Sequence, residues 1–357
     1  MALCLREVDS LFTAFEHQKL RLNSRLVMAP LPRLLAQNGV PTPEMLDYYR
    51  RRAGNRVGLI ITEPVAVNDP AAAADSGMAH FYGGAALRAW KGICRAVHAA
   101  GCRIAPQLCH AGMLRPASGD MPNPDASAIG PSGIDPESME ERGEAMSRER
   151  IRSVVAAFAD AAALSRLIGF DAVEINGGHA YLIDQFLRTS TNRRADEYGG
   201  DMRSRCRFAC QIVHAVRKAV GRKFPIIFRF SQFNAFEPSV PLFQTPAELD
   251  EMLQQMCEAG VDMFACSGIA QPAFHGNALS LAAWTRLLSK KPVIGGGGVG
   301  VRAGAGDFIS RIMRAREVDL LAVGRALLAD AAWGSKIHAA AEEDIRPCTQ
   351  RSFMHLF

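Results

Sequence analysis

Two glycine-containing segments near the C-terminal end of the chain could bind a phosphate group. Gly297 and Gly298 end an uninterrupted run of four glycines, and Gly324 is followed directly by Arg325. Glycines let backbone N–H groups approach an anion closely, and the arginine adds a guanidinium. The pattern predicts a phosphate cradle that would hold a phosphate-bearing cofactor. A glycine-rich tight turn without a ligand is the structural alternative.

Polar side chains stand at or just after the ends of several predicted strands. They are Arg33, Glu63, Gln107, His110, Glu174, Asn176, His179, Tyr181, Arg229 and Ser267. Any one of them is more often a satisfied polar group or a turn residue, but their placement at consecutive strand ends favours a common site. Gln107 and Arg229 would supply a polar ring around the cofactor.

Eight short apolar runs alternate with longer helical patterns and must position these residues. The predicted strands are 26–29, 58–62, 103–108, 172–175, 226–230, 263–266, 292–295 and 320–323. The predicted helices are 43–53, 86–100, 147–167, 204–220, 246–259, 279–289, 307–314 and 326–341. Short apolar runs are typical of strands buried on both faces, and eight strand–helix units predict an α/β fold, a single (β/α)8 TIM barrel.

A doubly wound open sheet is the alternative fold. It is disfavoured because Pro30, Leu31 and Pro32 follow the first predicted strand, where a Gly-x-Gly-x-x-Gly turn would be expected. Without a break in composition, we expect one barrel over residues 1–357. The prediction adds two long loops at the barrel mouth, 111–146 and 176–203, and a short C-terminal tail, 342–357.

Composition excludes several classes of protein. Hydrophobic residues make up 48% and charged residues 22% of the chain, which argues against disordered, collagen-like and coiled-coil proteins. The net charge of +5 and the absence of a long Lys/Arg run give no reason to expect nucleic-acid or membrane binding. Nine cysteines without a Cys-x-x-Cys pair argue against a disulfide framework or a metal site. We expect a cytoplasmic protein that acts on a small molecule; the sequence leaves open whether it is a homo-oligomer.

Longer strings in the chain resemble the Old Yellow Enzyme family of FMN-dependent oxidoreductases, from Leu11 to about Ile337. The supporting strings are residues 23–30, 107–112, 169–175, 180–187, 192–200 and 323–330. The resemblance implies a barrel that binds FMN at its mouth and takes electrons from NADH or NADPH. The flavin N5 would then deliver hydride to the β-carbon of an α,β-unsaturated carbonyl substrate.

The resemblance also implies which residues hold FMN. Gln107 would contact the flavin ring, and Arg229 its N1/O2 edge, where a cation stabilises the charge of the reduced flavin. The other cofactor-binding positions are Ala29, Pro30, Pro32 and Pro64 at the ring, and Gly297, Gly298, Gly324 and Arg325 at the phosphate.

On the substrate side, the resemblance implies three catalytic residues. Asn176 and His179 would donate hydrogen bonds to the substrate carbonyl and stabilise the charge that builds up there. Tyr181 would donate the proton to the α-carbon. Cys109 stands where relatives often carry a bulky aromatic residue and would line the substrate pocket.

Several positions depart from the family pattern. Asn176 stands where the family usually has His, so that the pair of Asn176 and His179 reverses a common His/Asn pair. Pro32 replaces a Thr or Cys, and Pro64 a small residue with an N–H group, so up to three donors toward flavin O4 and N5 are lost. We expect a flavin potential lower by some tens of millivolts and a specialised substrate.

The departures leave other functions open. One is an FMN-dependent desaturase or a redox-neutral isomerase in a biosynthetic or catabolic pathway. Another is a non-catalytic, degenerate flavin-binding barrel, against which the retained Gln107, His179, Tyr181 and Arg229 argue. Related amine dehydrogenases and dienoyl-CoA reductases carry a cysteine cluster that this chain lacks.

Overall fold

The computed structural model describes residues 8–117, 119–300 and 305–354, and its central feature is a closed barrel of eight parallel strands. In chain order, the first to eighth barrel strands are Leu26–Met28, Leu59–Ala66, Arg103–Cys109, Val173–Asn176, Ile226–Ser231, Met263–Ser267, Val293–Gly296 and Leu320–Val323. The eighth strand pairs with the first and closes the barrel. The predicted (β/α)8 TIM barrel is confirmed.

Helices follow the strands in alternation. The α-helices are Pro43–Ala53, Gly84–Ala99, Arg148–Ile168, Leu182–Leu187, Met202–Val220, Pro246–Ala259, Leu281–Ser289, Ala305–Arg314, Arg325–Ala329, Trp333–His338 and Gln350–Met354. Short 3-10 turns lie at Ser10–Phe12, Gly112–Leu114 and Glu342–Asp344. Within the described residues, no helix is both long and apolar enough to cross a membrane.

A hairpin that the sequence pattern does not predict precedes the barrel. Its strands, Phe15–His17 and Leu20–Leu22, pair antiparallel, and Phe15, Leu20 and Leu22 pack with the apolar side chains inside the barrel. Arg103, the first residue of the third strand, donates a hydrogen bond to the Arg21 carbonyl at 3.3 Å. The hairpin therefore packs at the N-terminal ends of the strands and leaves the opposite end open.

The prediction of one continuous helix over residues 326–341 was wrong. The chain forms Arg325–Ala329 and then Trp333–His338, with an extended Asp330 between them. The Asp330 carboxylate accepts hydrogen bonds from the Ala332 N–H at 2.9 Å and from Lys336 Nζ at 2.6 Å. These side-chain bonds compete with the helical backbone ladder and turn the chain.

Both predicted long loops contain short elements. Residues 111–146 include the paired strands Ile129–Gly130 and Glu144–Ala145, and residues 176–203 include the helix Leu182–Leu187. The predicted tail contains Glu342–Asp344 and Gln350–Met354, and its last three residues, 355–357, lie outside the described residues.

Candidate active site

A cavity of about 400 Å³ opens at the C-terminal ends of the barrel strands. Thirteen of the predicted site residues line it: Ala29, Pro30, Pro32, Pro64, Gln107, Asn176, His179, Tyr181, Arg229, Gly297, Gly298, Gly324 and Arg325. Five further residues line it: Leu31, Ser267, Gly296, Val299 and Ala322. Ser267 is among the strand-end polar side chains expected to share a site, whereas Ala322 could have been found from the alternation that directs it into the barrel.

Among the strand-end polar side chains, Arg33, Glu63, His110 and Glu174 do not line the cavity, and neither does Cys109, which was expected in the substrate pocket. Its side chain is fully buried and does not line the cavity. Its sulfur lies 3.7 Å from Asn176 Nδ2, and burial raises the pKa of the thiol well above its usual value. Cys109 therefore supports Asn176 as an uncharged neighbour and does not line the substrate pocket.

One side of the cavity is built from glycine backbone. Gly297 and Gly298 have φ angles of 116° and 79°, values that favour glycine. A Cβ at Gly297 would lie 2.7 Å from the Gly268 nitrogen, so a side chain cannot fit without moving the backbone. Arg325, whose side chain is exposed, stands across this edge of the cavity after Gly324. At this edge an anion could approach the glycine backbone closely and pair with the Arg325 guanidinium.

A second set of polar groups is organised around Glu174. This carboxylate is buried on the fourth strand, and its Oε1 accepts a hydrogen bond from Gln107 Nε2 at 2.6 Å. Gln107 Oε1 in turn accepts one from Asn176 Nδ2 at 3.3 Å, while Asn176 Oδ1 accepts from the Gly178 N–H at 3.1 Å. The amide orientations of Gln107 and Asn176 follow from this chain of donors and acceptors.

The segment that carries His179 is held in an unusual backbone conformation. His179 and Ala180 have φ angles of 58° and 62°, in the left-handed region. The Ala180 N–H donates to Asp184 Oδ2 at 2.7 Å, and Gln185 Nε2 donates to the Ala180 carbonyl at 2.7 Å. Asp184 is itself buried in an ion pair with Arg188. This buried network maintains the strained conformation and presents His179 and Tyr181 to the cavity.

His179 and Tyr181 are both uncharged at neutral pH. His179 is exposed to the cavity, but the protein packed around its ring, with the cations of Arg229 and Arg188, lowers its pKa to about 3. Burial raises the pKa of Tyr181 above its usual value of 10. The imidazole therefore has one N–H donor and one acceptor nitrogen, and the phenol keeps its proton for donation.

Two prolines, Pro32 and Pro64, stand on the cavity wall where neither offers a backbone N–H. The next two N–H groups after Pro32, those of Arg33 and Leu34, are directed away to Glu63 Oε2 at 3.0 and 3.1 Å. Glu63 is buried in the second strand, and burial raises its pKa to about 7. This part of the wall is therefore poor in hydrogen-bond donors.

Comparison with known proteins shows to which family the chain is similar in sequence and in structure. The sequence profile of the NADH:flavin oxidoreductase / NADH oxidase family matches residues 10–344. An NADPH dehydrogenase of Bacillus subtilis (strain 168) is 30% identical over 327 residues, which cover 90% of this chain and 91% of that protein. The structure of a morphinone reductase in complex with tetrahydroNAD superposes with a TM-score of 0.82 at 26% identity, covering 96% of this chain and 94% of the other.

Other relatives are longer than this chain. An NADH oxidase of Thermoanaerobacter brockii is 30% identical over 351 residues, which cover 95% of this chain and 52% of that protein. A metal reductase of Desulforamulus reducens is similar at 31% identity, with 50% of its length covered, so the chain spans about half of these two relatives. The resemblance to the Old Yellow Enzyme family is confirmed, and the chain belongs to the NADH:flavin oxidoreductase / NADH oxidase family.

Proposed function

We propose that this chain is an FMN-dependent oxidoreductase that uses NADH or NADPH to reduce the activated C=C bond of an α,β-unsaturated carbonyl compound. The observation that carries the proposal is one cavity that combines a glycine and arginine edge, the Gln107–Arg229 pair, and three hydrogen-bonding side chains: Asn176, His179 and Tyr181. Relatives named 12-oxophytodienoate reductase and morphinone reductase support the carbonyl-activated substrate class.

The cavity fits FMN in size and in chemistry. Its volume lies in the range of pockets for small ligands and cofactors. Gly297 and Gly298 leave the space that side chains would fill, and the Arg325 guanidinium suits a phosphate. Ala29 and Ala322 on the interior of the barrel give an apolar surface for the ring, and Gln107 and Arg229 give polar contacts at its edge. Bound FMN would supply the two-electron chemistry, taking hydride from NAD(P)H and giving it to the substrate β-carbon.

Asn176 and His179 are suited to bind the substrate carbonyl oxygen. Asn176 Nδ2 donates to Gln107 Oε1 at 3.3 Å and to the weak acceptor Cys109 Sγ at 3.7 Å, and a substrate oxygen would replace the sulfur as the stronger acceptor. A neutral His179 adds a second donor on the same cavity wall. Two donors aimed at one oxygen stabilise the negative charge that grows on it as the β-carbon is reduced.

Tyr181 is suited to complete the reduction with a proton. Its phenol lines the cavity and stays protonated, because burial raises its pKa. A proton from Tyr181 to the α-carbon, together with the hydride on the β-carbon, converts C=C into CH–CH. A solvent proton would then restore the phenol, and NAD(P)⁺ would be released in the earlier half-reaction, in which NAD(P)H gives up its hydride.

A second candidate function uses the same site for desaturation or redox-neutral isomerisation. Pro32, Pro64 and the Asn176–His179 pair motivate it, because these cavity residues depart from the family pattern around the reacting centre. Anaerobic incubation with an enone panel and product analysis separates the two. Saturated product formed in equal amount to the NAD(P)H consumed supports the reductase. Isomerised product formed without NAD(P)H consumption, or a saturated ketone converted to the enone with one bound flavin reduced for each enone formed, supports the second candidate.

A further inference from the structure

Ser267 lies between the guanidinium of Arg229 and the imidazole of His179. Arg229 Nη2 is 2.8 Å from Ser267 Oγ, and Ser267 Oγ is 3.3 Å from His179 Nε2. The three side chains come from the fifth strand, the sixth strand and the segment after the fourth strand, and all three line the cavity. A continuous row of hydrogen-bonding groups therefore connects a cationic side chain to the imidazole.

The direction of each hydrogen bond in this row follows from chemistry. A guanidinium can only donate, so Ser267 Oγ accepts from Arg229. The hydroxyl has one hydrogen of its own. Among the hydrogen bonds of the described residues, His179 Nε2 is the one acceptor in contact with that hydroxyl. This arrangement favours Nε2 of the neutral imidazole as the acceptor of that hydrogen, with the ring proton on Nδ1.

The environment of Ser267 strengthens this assignment. A hydroxyl that accepts a hydrogen bond from a cation becomes a better donor, because the two bonds polarise each other. The main chain of His179 is held separately, since its N–H points to Ser231 Oγ at 3.5 Å. Ser267 therefore acts on the ring alone, and Ser231, its register partner on the fifth strand, contacts the backbone.

We propose that Ser267 is a positioning residue that holds His179 in the Nδ1–H tautomer, so that Nδ1 is the donor offered to the substrate carbonyl. The role in catalysis rests on the proposed function, in which His179 donates to that oxygen. In the opposite tautomer the ring N–H would be on Nε2, the nitrogen that contacts Ser267, and Nδ1 would be an acceptor that repels the carbonyl oxygen.

The test is the protonation pattern of the His179 ring in FMN-saturated protein with ¹⁵N-labelled histidine. Two-bond ¹H–¹⁵N spectra show which ring nitrogen carries the proton, and His179→Gln identifies the signals of His179. We expect Nδ1–H in the wild type and in Ser267→Thr, which keeps the hydroxyl. Ser267→Ala should shift the ring to a mixture or to Nε2–H. Ser231→Ala, the matched control, removes a hydroxyl at the paired position of the neighbouring strand and should keep Nδ1–H.

Kinetics provide the second measurement. In Ser267→Ala, kcat/KM for an enone should fall about two- to tenfold, the effect of one neutral hydrogen bond, and Ser267→Thr should recover most of it. A wild-type ring in the Nε2–H form, or identical spectra for wild type and Ser267→Ala, would overturn the proposal. The spectra are read whether or not enones are reduced, so a failure of the proposed function is distinguished from a failure of the role of Ser267.

Discussion

The side-chain amide of Gln107 donates a 2.6 Å hydrogen bond to the buried carboxylate of Glu174 on the neighbouring barrel strand. Glu174 also feels the positive charge of Arg229, which lowers the pKa of the carboxyl against the larger effect of burial. Since Gln107 next accepts a hydrogen bond from Asn176, one carboxylate orients a predicted flavin contact and a predicted substrate contact. Glu174, one of the strand-end polar side chains, therefore orients Gln107 and, through it, Asn176, although it does not line the cavity itself.

Replacing Glu174 should therefore change the orientation of Gln107 and Asn176, although Glu174 does not line the cavity itself. Glu174→Ala leaves the Gln107 Nε2 group buried without its acceptor, which costs about 1–3 kcal/mol. We expect weaker FMN binding, by about tenfold, and a higher KM for the enone. Glu174→Gln keeps an acceptor oxygen and should stay within about threefold of the wild type. Equal FMN affinity in wild type and Glu174→Ala, measured by fluorescence titration, would contradict this role.

Removing the Tyr181 hydroxyl should slow only the proton-dependent half of the reaction. Tyr181→Phe keeps the ring, and loss of a general acid typically costs 10²–10⁴-fold in rate. In stopped-flow experiments, the rate at which NAD(P)H reduces the bound flavin should change less than twofold. The rate at which an enone reoxidises the flavin should fall by about 10²–10⁴-fold. Tyr198→Phe, away from the cavity, is the control. A Tyr181→Phe enzyme that is reoxidised at the wild-type rate would rule out Tyr181 as the proton donor.

Glu63 should make stability depend on pH between about 4.5 and 7. Burial raises the pKa of Glu63 to about 7 in the folded chain, from 4.5 in the unfolded chain. In this window the folded state binds more protons than the unfolded state, so stability falls as pH rises. Glu63→Gln should flatten the change of Tm with pH from 5 to 8. The same slope in the variant and the wild type would show that another group titrates.

Pro32 and Pro64 should hold the potential of the bound flavin low. Pro32→Thr restores an N–H and a hydroxyl, and Pro64→Ala restores an N–H. If both groups of the threonine bind more strongly to reduced flavin, Pro32→Thr should raise the midpoint potential by about 20–60 mV. Pro64→Ala should raise it by about half as much. Potentials that stay the same or fall in both variants, measured by equilibration with reference dyes, would contradict this account of the donor-poor wall.

Much of the fold could be predicted from the sequence because the barrel strands are short apolar runs buried on both faces. The second strand runs to Ala66, beyond its predicted end at Thr62, since Glu63 and Pro64 look like terminating residues. The pairing with the third strand shifts register between Ile61 and Pro64, which accommodates both within the strand. The N-terminal hairpin has strands of only three residues, too short for a recognisable pattern.

The site could be predicted as a set of residues, but their partners could not. Thirteen predicted residues line one cavity because strand ends on the same side of a barrel must converge. Spacing along the chain does not reveal that Ser267 contacts both Arg229 and His179, since this depends on side-chain directions across three segments. Cys109 was expected in the pocket from the resemblance to the family, and the structure buries it beside Asn176.

The most direct test of the central claim is the visible absorbance spectrum of the purified protein before and after reconstitution with FMN. We predict a flavin spectrum at one FMN per chain, released on denaturation as free FMN, because the proposed binding residues would hold it without a covalent bond. Anaerobic NADH or NADPH should bleach the spectrum, and an enone should restore it. A colourless protein that takes up no FMN under any reconstitution condition would contradict the account.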